Sequence, residues 1–172
     1  WTKLLGSSSD DQAYALTTGL DGSIYVSGTT WDNLDGQTKS GGTGASDAFI
    51  TKYQSDGTKS WTKLLGNSSD DRAHALTTGL DGSIYVSGHT QGNFDGKINN
   101  GGYDAFITKY LTDGTKSWTK LLGTSSEDKA HALTTGLDGA IYVSGRTSGN
   151  LDGQINSGAE DAFITKYLPD GT

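Results

Sequence analysis

The residues best suited to chemistry in this sequence are aspartates that precede a glycine in polar stretches. Three stretches share the pattern Asn-x-Asp-Gly, and their aspartates are Asp35, Asp95 and Asp152. Carboxylate and amide oxygens bind calcium, but a calcium loop also needs a first acidic ligand and a closing glutamate, which these stretches lack. Ca²⁺ is therefore one candidate cofactor at these aspartates. A turn fixed by an Asp or Asn side chain is the alternative, and it needs no cofactor.

Adjacent acidic residues recur before three strand-like segments: Asp10-Asp11, Asp70-Asp71 and Glu127-Asp128. Acidic side chains in turns accept hydrogen bonds from nearby backbone N–H groups, so we predict that these residues fix turns between repeats rather than bind Ca²⁺. Neighbouring side chains of an extended chain point to opposite sides, which makes each pair a poor acid–base couple.

No other catalytic arrangement is visible. The sequence has no nucleophile elbow, no phosphate-binding loop and no histidine pair at metal-ligand spacing. His74 and His131 stand where the first repeat has Tyr14, which favours packing or hydrogen bonding over metal ligation. We therefore predict that the protein is not an enzyme.

The repeats differ most in the polar segments that follow their third predicted strand. Variable loops on a constant scaffold are where ligand contacts usually lie. Trp31 can stack on a sugar ring, with Asp32 and Asn33 as hydrogen-bond partners. The predicted ligand-binding residues are Trp31, Asp32, Asn33, His89, Gln91, Asn93, Arg146 and Asn150. An ordinary surface loop, or a tryptophan packed on a neighbouring repeat, is the alternative.

A tandem repeat positions all of these residues. Trp1, Trp61 and Trp118 open three near-identical copies, residues 1–60, 61–117 and 118–172, which together form one domain of residues 1–172. In the first copy we predict strands at residues 2–5, 13–18, 23–27 and 47–53, with equivalents in the others. The alternating pattern of residues 104–110 has period two, and Asp-Gly pairs supply hairpin turns.

Four short strands per copy and no helical segment predict an all-β protein. A β-propeller uses each four-stranded antiparallel repeat as a blade, whereas a β-trefoil also combines three copies of four strands. The long repeat and its tight meander through Asp-Gly turns favour the propeller. The small residues Ala13 and Ala15 also suit a crowded innermost strand. We predict a propeller with three blade repeats per chain, and the trefoil is the alternative.

Four strings of the first repeat, which recur with few changes in the others, carry a family resemblance: Gly-Ser-Ser-Ser-Asp-Asp-Gln-Ala-Tyr-Ala-Leu (6–16), Asp-Gly-Ser-Ile-Tyr-Val-Ser-Gly (21–28), Asp-Ala-Phe-Ile-Thr-Lys-Tyr (47–53) and Asp-Gly-Thr-Lys-Ser-Trp (56–61). Together they resemble the bacterial SBBP-type β-propeller repeat. Residues 28–46 depart from that family, whose members often have a proline-containing loop there. The resemblance implies a propeller scaffold in a secreted or cell-surface bacterial protein, with no common catalytic activity.

Composition narrows the range of partners. The net charge of -7 disfavours nucleic acid and anionic membranes, which attract basic surfaces. No apolar run is long enough to span a membrane. The chain has no cysteine, which excludes disulfides and thiolate chemistry. Its 26 glycines and 32% hydrophobic residues suit short strands joined by many turns.

The offset of the repeats predicts an assembly. The third copy stops after the turn that follows residues 161–167, and the strand it lacks, residues 1–6, opens the chain. Three blades cannot close a ring, and an open arc exposes blade faces and a strand edge. We predict a homodimeric six-bladed ring in which residues 1–6 of each chain complete the partner's last blade. The alternative is a fragment of a longer array.

These features together predict a structural or adhesion module of a bacterial extracellular or surface protein. A lectin-like propeller that binds carbohydrate through its 28–46 type loops is the alternative.

Overall fold

Eleven β-strands and no helix make up the computed structural model, which describes all of residues 1–172. The strands are β1 (Asp11–Thr18), β2 (Ile24–Thr30), β3 (Asp47–Tyr53), β4 (Lys59–Leu65), β5 (Asp71–Thr78), β6 (Ile84–Thr90), β7 (Asp104–Tyr110), β8 (Lys116–Leu122), β9 (Asp128–Thr135), β10 (Ile141–Thr147) and β11 (Asp161–Tyr167). The all-β prediction is confirmed. The structure contains no helix with the length and apolar character needed to cross a bilayer.

The strands form three separate antiparallel sheets, in the orders β1-β2-β3-β4, β5-β6-β7-β8 and β11-β10-β9. We call them the first, second and third blades. Each blade is a meander in which consecutive strands pair, and β5 lies between β1 and β9 of the neighbouring blades. Separate meandering sheets with adjacent first strands are the arrangement of propeller blades, and the trefoil alternative is set aside.

The turns inside the blades follow from their Asp-Gly sequences. In the first turn Gly22 has a φ of 77°, a conformation that costs glycine nothing because it lacks a Cβ. The Asp21 side chain accepts a hydrogen bond from the Ser23 N–H at 3.0 Å, and the Gly19 N–H donates to the Ser23 carbonyl at 2.7 Å. The same turn recurs in each blade, which explains why each repeat folds as a meander.

The apolar core lies between the blades. Ile50 of the first blade and Phe106 of the second are buried in one cluster, where the Phe94 ring stacks on Phe106 with centroids 4.7 Å apart. A second cluster, which includes Ile107, joins the second and third blades. Every residue of β7 is buried, because the second blade has a neighbour on each face. The equivalent strand of the third blade is half-exposed, and Ile164 is 73% exposed.

Three sequence predictions need correction. Residues 2–5 form no strand, because no strand edge of the same chain lies beside them. The predicted strand 13–18 begins earlier, at Asp11, and the predicted strand 23–27 continues to Thr30. Both extensions have one cause: Asp11 and Thr30 pair directly across the β1–β2 ladder, so the ladder lengthens both strands together.

Candidate functional site

The loop that follows β2 forms an open cleft of about 560 Å³. Trp31, Asp32 and Asn33 line this cleft, together with Lys39 and the glycine-rich residues 41–44. Three of the eight residues predicted to bind a ligand therefore lie side by side. Trp31 is the only hydrophobic residue of the cleft, so its chemistry suits a hydroxylated ligand better than an apolar one.

Hydrogen bonds hold the polar side of this cleft in place. The Asp32 carboxylate accepts hydrogen bonds from the Ser8 hydroxyl and from the Asn33 N–H, the latter at 2.7 Å. These bonds lower the pKa of Asp32, so the group is ionised at neutral pH. The Asn33 side-chain oxygen accepts a hydrogen bond from the Lys39 N–H at 2.9 Å and closes the loop.

Trp31 also contacts the neighbouring blade. The Arg72 guanidinium lies 5.6 Å from the centre of the Trp31 ring, within the range of a cation–π contact. Arg72 belongs to β5, so this contact links the loop of the first blade to the inner strand of the second. Packing on a neighbouring blade, the alternative interpretation of Trp31, is thus confirmed, and the residue lines the cleft as well.

Asn93 and Asn150 have the same structural role as Asn33. The Asn93 side-chain oxygen accepts a hydrogen bond from the Asn99 N–H at 3.0 Å, and the Asn150 oxygen accepts one from the Asn156 N–H at 2.9 Å. Each bond spans six residues and fixes one loop. All three asparagines were predicted as ligand contacts. In the structure their side-chain oxygens accept hydrogen bonds from backbone N–H groups of their own loops.

The remaining predicted ligand residues lie outside the cleft. His89 and Arg146 belong to β6 and β10, because the third strand of each copy runs further than the sequence indicated. Arg146 forms ion pairs with Glu127, at 3.6 Å, and with Glu160. Gln91 is exposed just after β6. The structure therefore divides the eight residues among separate places instead of gathering them in one site.

A cluster of imidazole and phenol rings, which sequence reasoning missed, lies where neighbouring inner strands meet. His74 Nε2 is 3.2 Å from His89 Nδ1, and the His74 ring is 5.4 Å from Tyr14 and 5.8 Å from His131. The Tyr103 ring meets His89 edge to face at 4.9 Å. Burial lowers the pKa of His74 to about 4 and that of His89 to about 3, so both are neutral at pH 7.

Bulges bring these rings together. The pairing register shifts at Tyr14, His74 and His131, so each sits at an extra residue in its inner strand. A bulge redirects a side chain, and period-two alternation cannot reveal one. The packing and hydrogen-bonding role predicted for the two histidines agrees with this arrangement. No group of three or more His, Asp or Glu side chains is placed to hold a metal ion.

The aspartates predicted as calcium ligands lie in two-residue hairpins. Asp35 has a φ of 57° and Gly36 a φ of 76°, the geometry of a type I′ turn. Leu34 and Gln37 exchange two backbone hydrogen bonds across this turn, at 3.1 and 2.9 Å. An Asn-x-Asp-Gly sequence can form such a turn without a metal, since Asp and Gly both tolerate positive φ.

Two of these aspartates are already paired with cations. The Asp35 carboxylate forms an ion pair with Lys59 and accepts a hydrogen bond from the Thr62 hydroxyl at 2.6 Å. Burial acts to raise the pKa of Asp35, but the bonds from Lys59 and Thr62 lower it overall. Asp95 pairs with Lys116 in the same way. A calcium ion at either place would have to displace a lysine. These contacts tie each hairpin to the outer strand of its blade.

The acidic residues between the blades fix turns, as predicted. Asp71 accepts a hydrogen bond from the Asn67 N–H at 2.7 Å, and Asp128 accepts one from the Thr124 N–H at 2.6 Å. Asp11 does the same for Ser7 in the first blade. Each bond spans four residues and closes the linker that leads into an inner strand.

Asp47 and Asp71 meet at the junction of the first and second blades. The Asp71 N–H donates to the Ser46 carbonyl at 2.8 Å, which places the two aspartates next to each other. Neither residue is exposed, and neither forms an ion pair with a cation. Burial raises the pKa of Asp47 to about 6 and that of Asp71 to about 7, and the charge of Asp47 adds to the second effect.

The third blade has an unpaired strand edge. β4 and β8 cover β3 and β7 in the first two blades, but no strand of the chain pairs with the outer side of β11. We call this side of β11 the open edge. A groove of about 320 Å³ runs along it, lined by Leu151, Asp152 and residues 161–165 among others.

Residues 1–5, which we call the Trp1 segment, lie at the opposite end of the arc. Three tryptophans make one contact with the turn of the following blade: Trp1 Nε1 donates to the Ser55 carbonyl at 3.0 Å, Trp61 Nε1 to Thr112 at 3.3 Å, and Trp118 Nε1 to Pro169 at 3.2 Å. Trp61 and Trp118 belong to the outer strands β4 and β8. The Trp1 segment therefore occupies the place of an outer strand whose own blade the chain does not contain.

Comparison with known proteins agrees with this geometry. Residues 60–95, which contain β5, β6 and most of β4, match the model of the SBBP β-propeller repeat family. The resemblance seen in the sequence is thus confirmed, and the chain is a β-propeller module. Over 171 residues it is 35% identical to the regulatory protein FlaEY of Caulobacter vibrioides. That match covers 90% of this chain but 18% of the relative, so the chain spans less than a fifth of that protein's length.

Proposed function

We propose that this protein is a non-enzymatic structural module, and that two chains associate through strand exchange to close a six-bladed ring. One observation carries the proposal: the second blade has a neighbour on both faces, whereas the first and third blades each leave one face uncovered, so a closed ring needs further blades. A second copy related by a twofold axis would supply three such blades.

The exposed apolar side chains at these ends favour association. Leu4 of the Trp1 segment is 98% exposed, and Ile164 on the outer blade is 73% exposed, whereas the equivalent Ile107 is buried between two blades. Full burial of such a side chain is worth about 1.5–3 kcal/mol. An unpaired strand edge is also a template for another strand.

The proposed setting is the bacterial cell surface or its exterior, with adhesion as the role of the ring. The support is the family resemblance, the net charge of -7 and a scaffold that presents loops of differing sequence on identical blades. The relative from Caulobacter vibrioides is named a regulatory protein, and a rigid ring that presents variable loops is compatible with such a role too.

The solution mass tests the ring. The chain should elute with 36.0 kDa by light scattering, twice its mass of 18.0 kDa. Leu4→Asp should reduce the mass to that of one chain, because a carboxylate cannot enter an apolar interface without a large desolvation cost. Ile98→Asp is the matched control, since Ile98 is similarly exposed but lies in a loop of the second blade. If the unmodified chain has the mass of a monomer in solution, the proposal of a two-chain ring is wrong.

Carbohydrate binding is the second candidate function, and the cleft around Trp31 favours it. Binding to a glycan array should occur through that cleft and should disappear with Trp31→Ala, because the ring supplies the only apolar surface there. Gln91→Ala changes the equivalent position of the second repeat and should leave binding intact. An array on which the unmodified protein finds no glycan would count against the lectin.

A further inference from the structure

We propose that the junction of the second and third blades binds one Ca²⁺ ion through the carboxylates of Asp104 and Asp128. Asp104 opens β7 and Asp128 opens β9, and neither residue is exposed to solvent. This place differs from the Asn-x-Asp-Gly turns, where Asp35 and Asp95 are paired with lysines. The junction lies within one chain, so the site does not require the proposed ring.

The two carboxylates lie against the same short segment of backbone. The Asp128 carboxylate accepts a hydrogen bond from the Thr124 N–H at 2.6 Å, and the Asp104 carboxylate rests on the preceding residue, Gly123. A Cβ at residue 123 would lie 2.2 Å from the Asp104 carboxyl carbon, so this close approach requires glycine. The Asp128 N–H also donates to the Tyr103 carbonyl at 2.6 Å, which brings the start of β9 beside the start of β7.

Each carboxylate uses one oxygen to fix a turn and leaves the other without a donor. Asp104 Oδ2 accepts a hydrogen bond from the Asn100 N–H at 2.9 Å, and Asp128 Oδ2 accepts its bonds from Thr124. Asp104 Oδ1 and Asp128 Oδ1 are buried and accept no hydrogen bond from any group of the protein. A buried carboxylate oxygen needs a donor or a cation, because it has lost its hydration.

No cation of the chain neutralises this pair of aspartates. Neither Asp104 nor Asp128 forms an ion pair with a lysine, an arginine or a histidine. Burial raises the pKa of Asp104, and the negative charge of Asp128 acts in the same direction. A bound metal ion removes both costs, since it replaces the lost hydration and balances the two negative charges.

Calcium is the cation that suits this set of ligands. It binds carboxylate, carbonyl and water oxygens in irregular arrangements of about six to eight ligands, whereas Mg²⁺ demands a regular octahedron. Softer metals prefer imidazole or thiolate ligands, which the junction does not offer. Backbone carbonyls and water complete the coordination of many calcium ions, so two carboxylates are sufficient here. The ion would bridge β7 and β9 and thereby fasten the third blade to the second.

The junction of the first and second blades lacks this site because of one amide group. Its aspartates are Asp47 and Asp71, and Asn67 stands where the third repeat has Thr124. The Asn67 side-chain N–H donates to Asp71 Oδ1 at 2.9 Å, so both oxygens of Asp71 have donors. The Thr124 hydroxyl instead donates to Asp128 Oδ2, the oxygen that the Thr124 N–H already binds. One residue of the linker therefore decides whether the junction is open to a cation.

An exchange of these two linker residues tests the site. Each full chain would be treated with EDTA and dialysed, and the binding of calcium chloride would be measured by isothermal titration calorimetry at neutral pH. Thr124→Asn should lower the number of Ca²⁺ ions bound per chain by one, because the new amide reaches Asp128 Oδ1. Asn67→Thr should raise that number by one. Each variant places in one linker a residue that the equivalent linker already accommodates, so both should fold.

Thermal unfolding gives a second measurement. Ca²⁺ at a hundredfold excess over its dissociation constant should raise the melting temperature of the natural chain by roughly 5–10 °C. Thr124→Asn and Asp104→Asn should both abolish this shift. Asp95→Asn is the matched control, since it removes a carboxylate from an Asn-x-Asp-Gly turn and should leave the shift unchanged. A natural chain that binds no Ca²⁺, or binding that survives Thr124→Asn, would overturn the proposal.

Discussion

Replacing Trp118 with alanine is expected to lower the free energy of unfolding by roughly 3–5 kcal/mol, the cost of a large core truncation. The Trp118 ring lies 5.8 Å from Tyr85 and packs on the cluster that joins the second and third blades. Its indole N–H also bonds to the Pro169 carbonyl, and its ring covers Gly171. Its loss therefore weakens the blade itself and the contact with the next blade, and urea unfolding followed by circular dichroism would measure the change.

Trp1→Ala is the matched control, because Trp1 makes the same contact with the turn of the next blade. The Trp1 ring, however, is 67% exposed and has no strands of its own blade behind it. Both changes would be made in the Leu4→Asp background, so that association of chains does not contribute. In that background we expect Trp1→Ala to lower the free energy of unfolding by less than about 1 kcal/mol. Equal losses at the two positions would show that Trp118 does not belong to the core.

Sequence reasoning could predict the blades because their determinants are local. Strand alternation in residues 104–110 and Asp-Gly turns act over a few residues, and three near-identical copies repeat the signal. The prediction that Asp71 and Asp128 fix turns was correct for the same reason, since each bonds to a backbone N–H only four residues away. The structure confirms the all-β blade architecture that these local signals predict.

The loops were harder to interpret, because the function of a polar residue there depends on distant partners. Asp35 resembled a calcium ligand, but Lys59 and Thr62 approach it from another strand. His89 was predicted to lie in a loop, but it belongs to β6. A bulge in β5 turns the His74 ring toward the His89 ring. Neither contact can be recognised from the amino-acid sequence of a repeat.

The similarity of the repeats also led to one prediction that the structure does not reproduce. Residues 2–5 have the sequence of an outer strand, and the prediction of a strand there was wrong for the isolated chain. A strand exists only where another strand pairs with it, and β4 forms because β3 lies beside it. Local sequence sets the potential of the Trp1 segment to become a strand, and a neighbouring strand is needed for that strand to form.

The buried aspartates predict a stability change with pH that Asp71→Asn should isolate. Burial raises the pKa of Asp71 to about 7, so the folded chain holds a proton that the unfolded chain releases near pH 4. The stabilisation from this proton is complete below about pH 4 and is lost as the pH rises to about 7. The free-energy difference between the natural protein and Asp71→Asn should therefore fall by roughly 2–4 kcal/mol between pH 4 and pH 8.

The difference between the two proteins is the right readout, because the histidine cluster titrates in the opposite direction. Burial lowers the pKa of His89 to about 3, so its contribution is present above about pH 6.5 and is lost as the pH falls toward 3. Urea unfolding of the natural protein, Asp71→Asn and His89→Gln at pH 4, 6 and 8 separates the two effects. The difference from Asp71→Asn should shrink as the pH rises, whereas the difference from His89→Gln should grow. A pH-independent difference for Asp71→Asn would show that the pKa of Asp71 is not raised in the folded chain, and the assignment of a protonated carboxyl at the junction of the first two blades would be wrong.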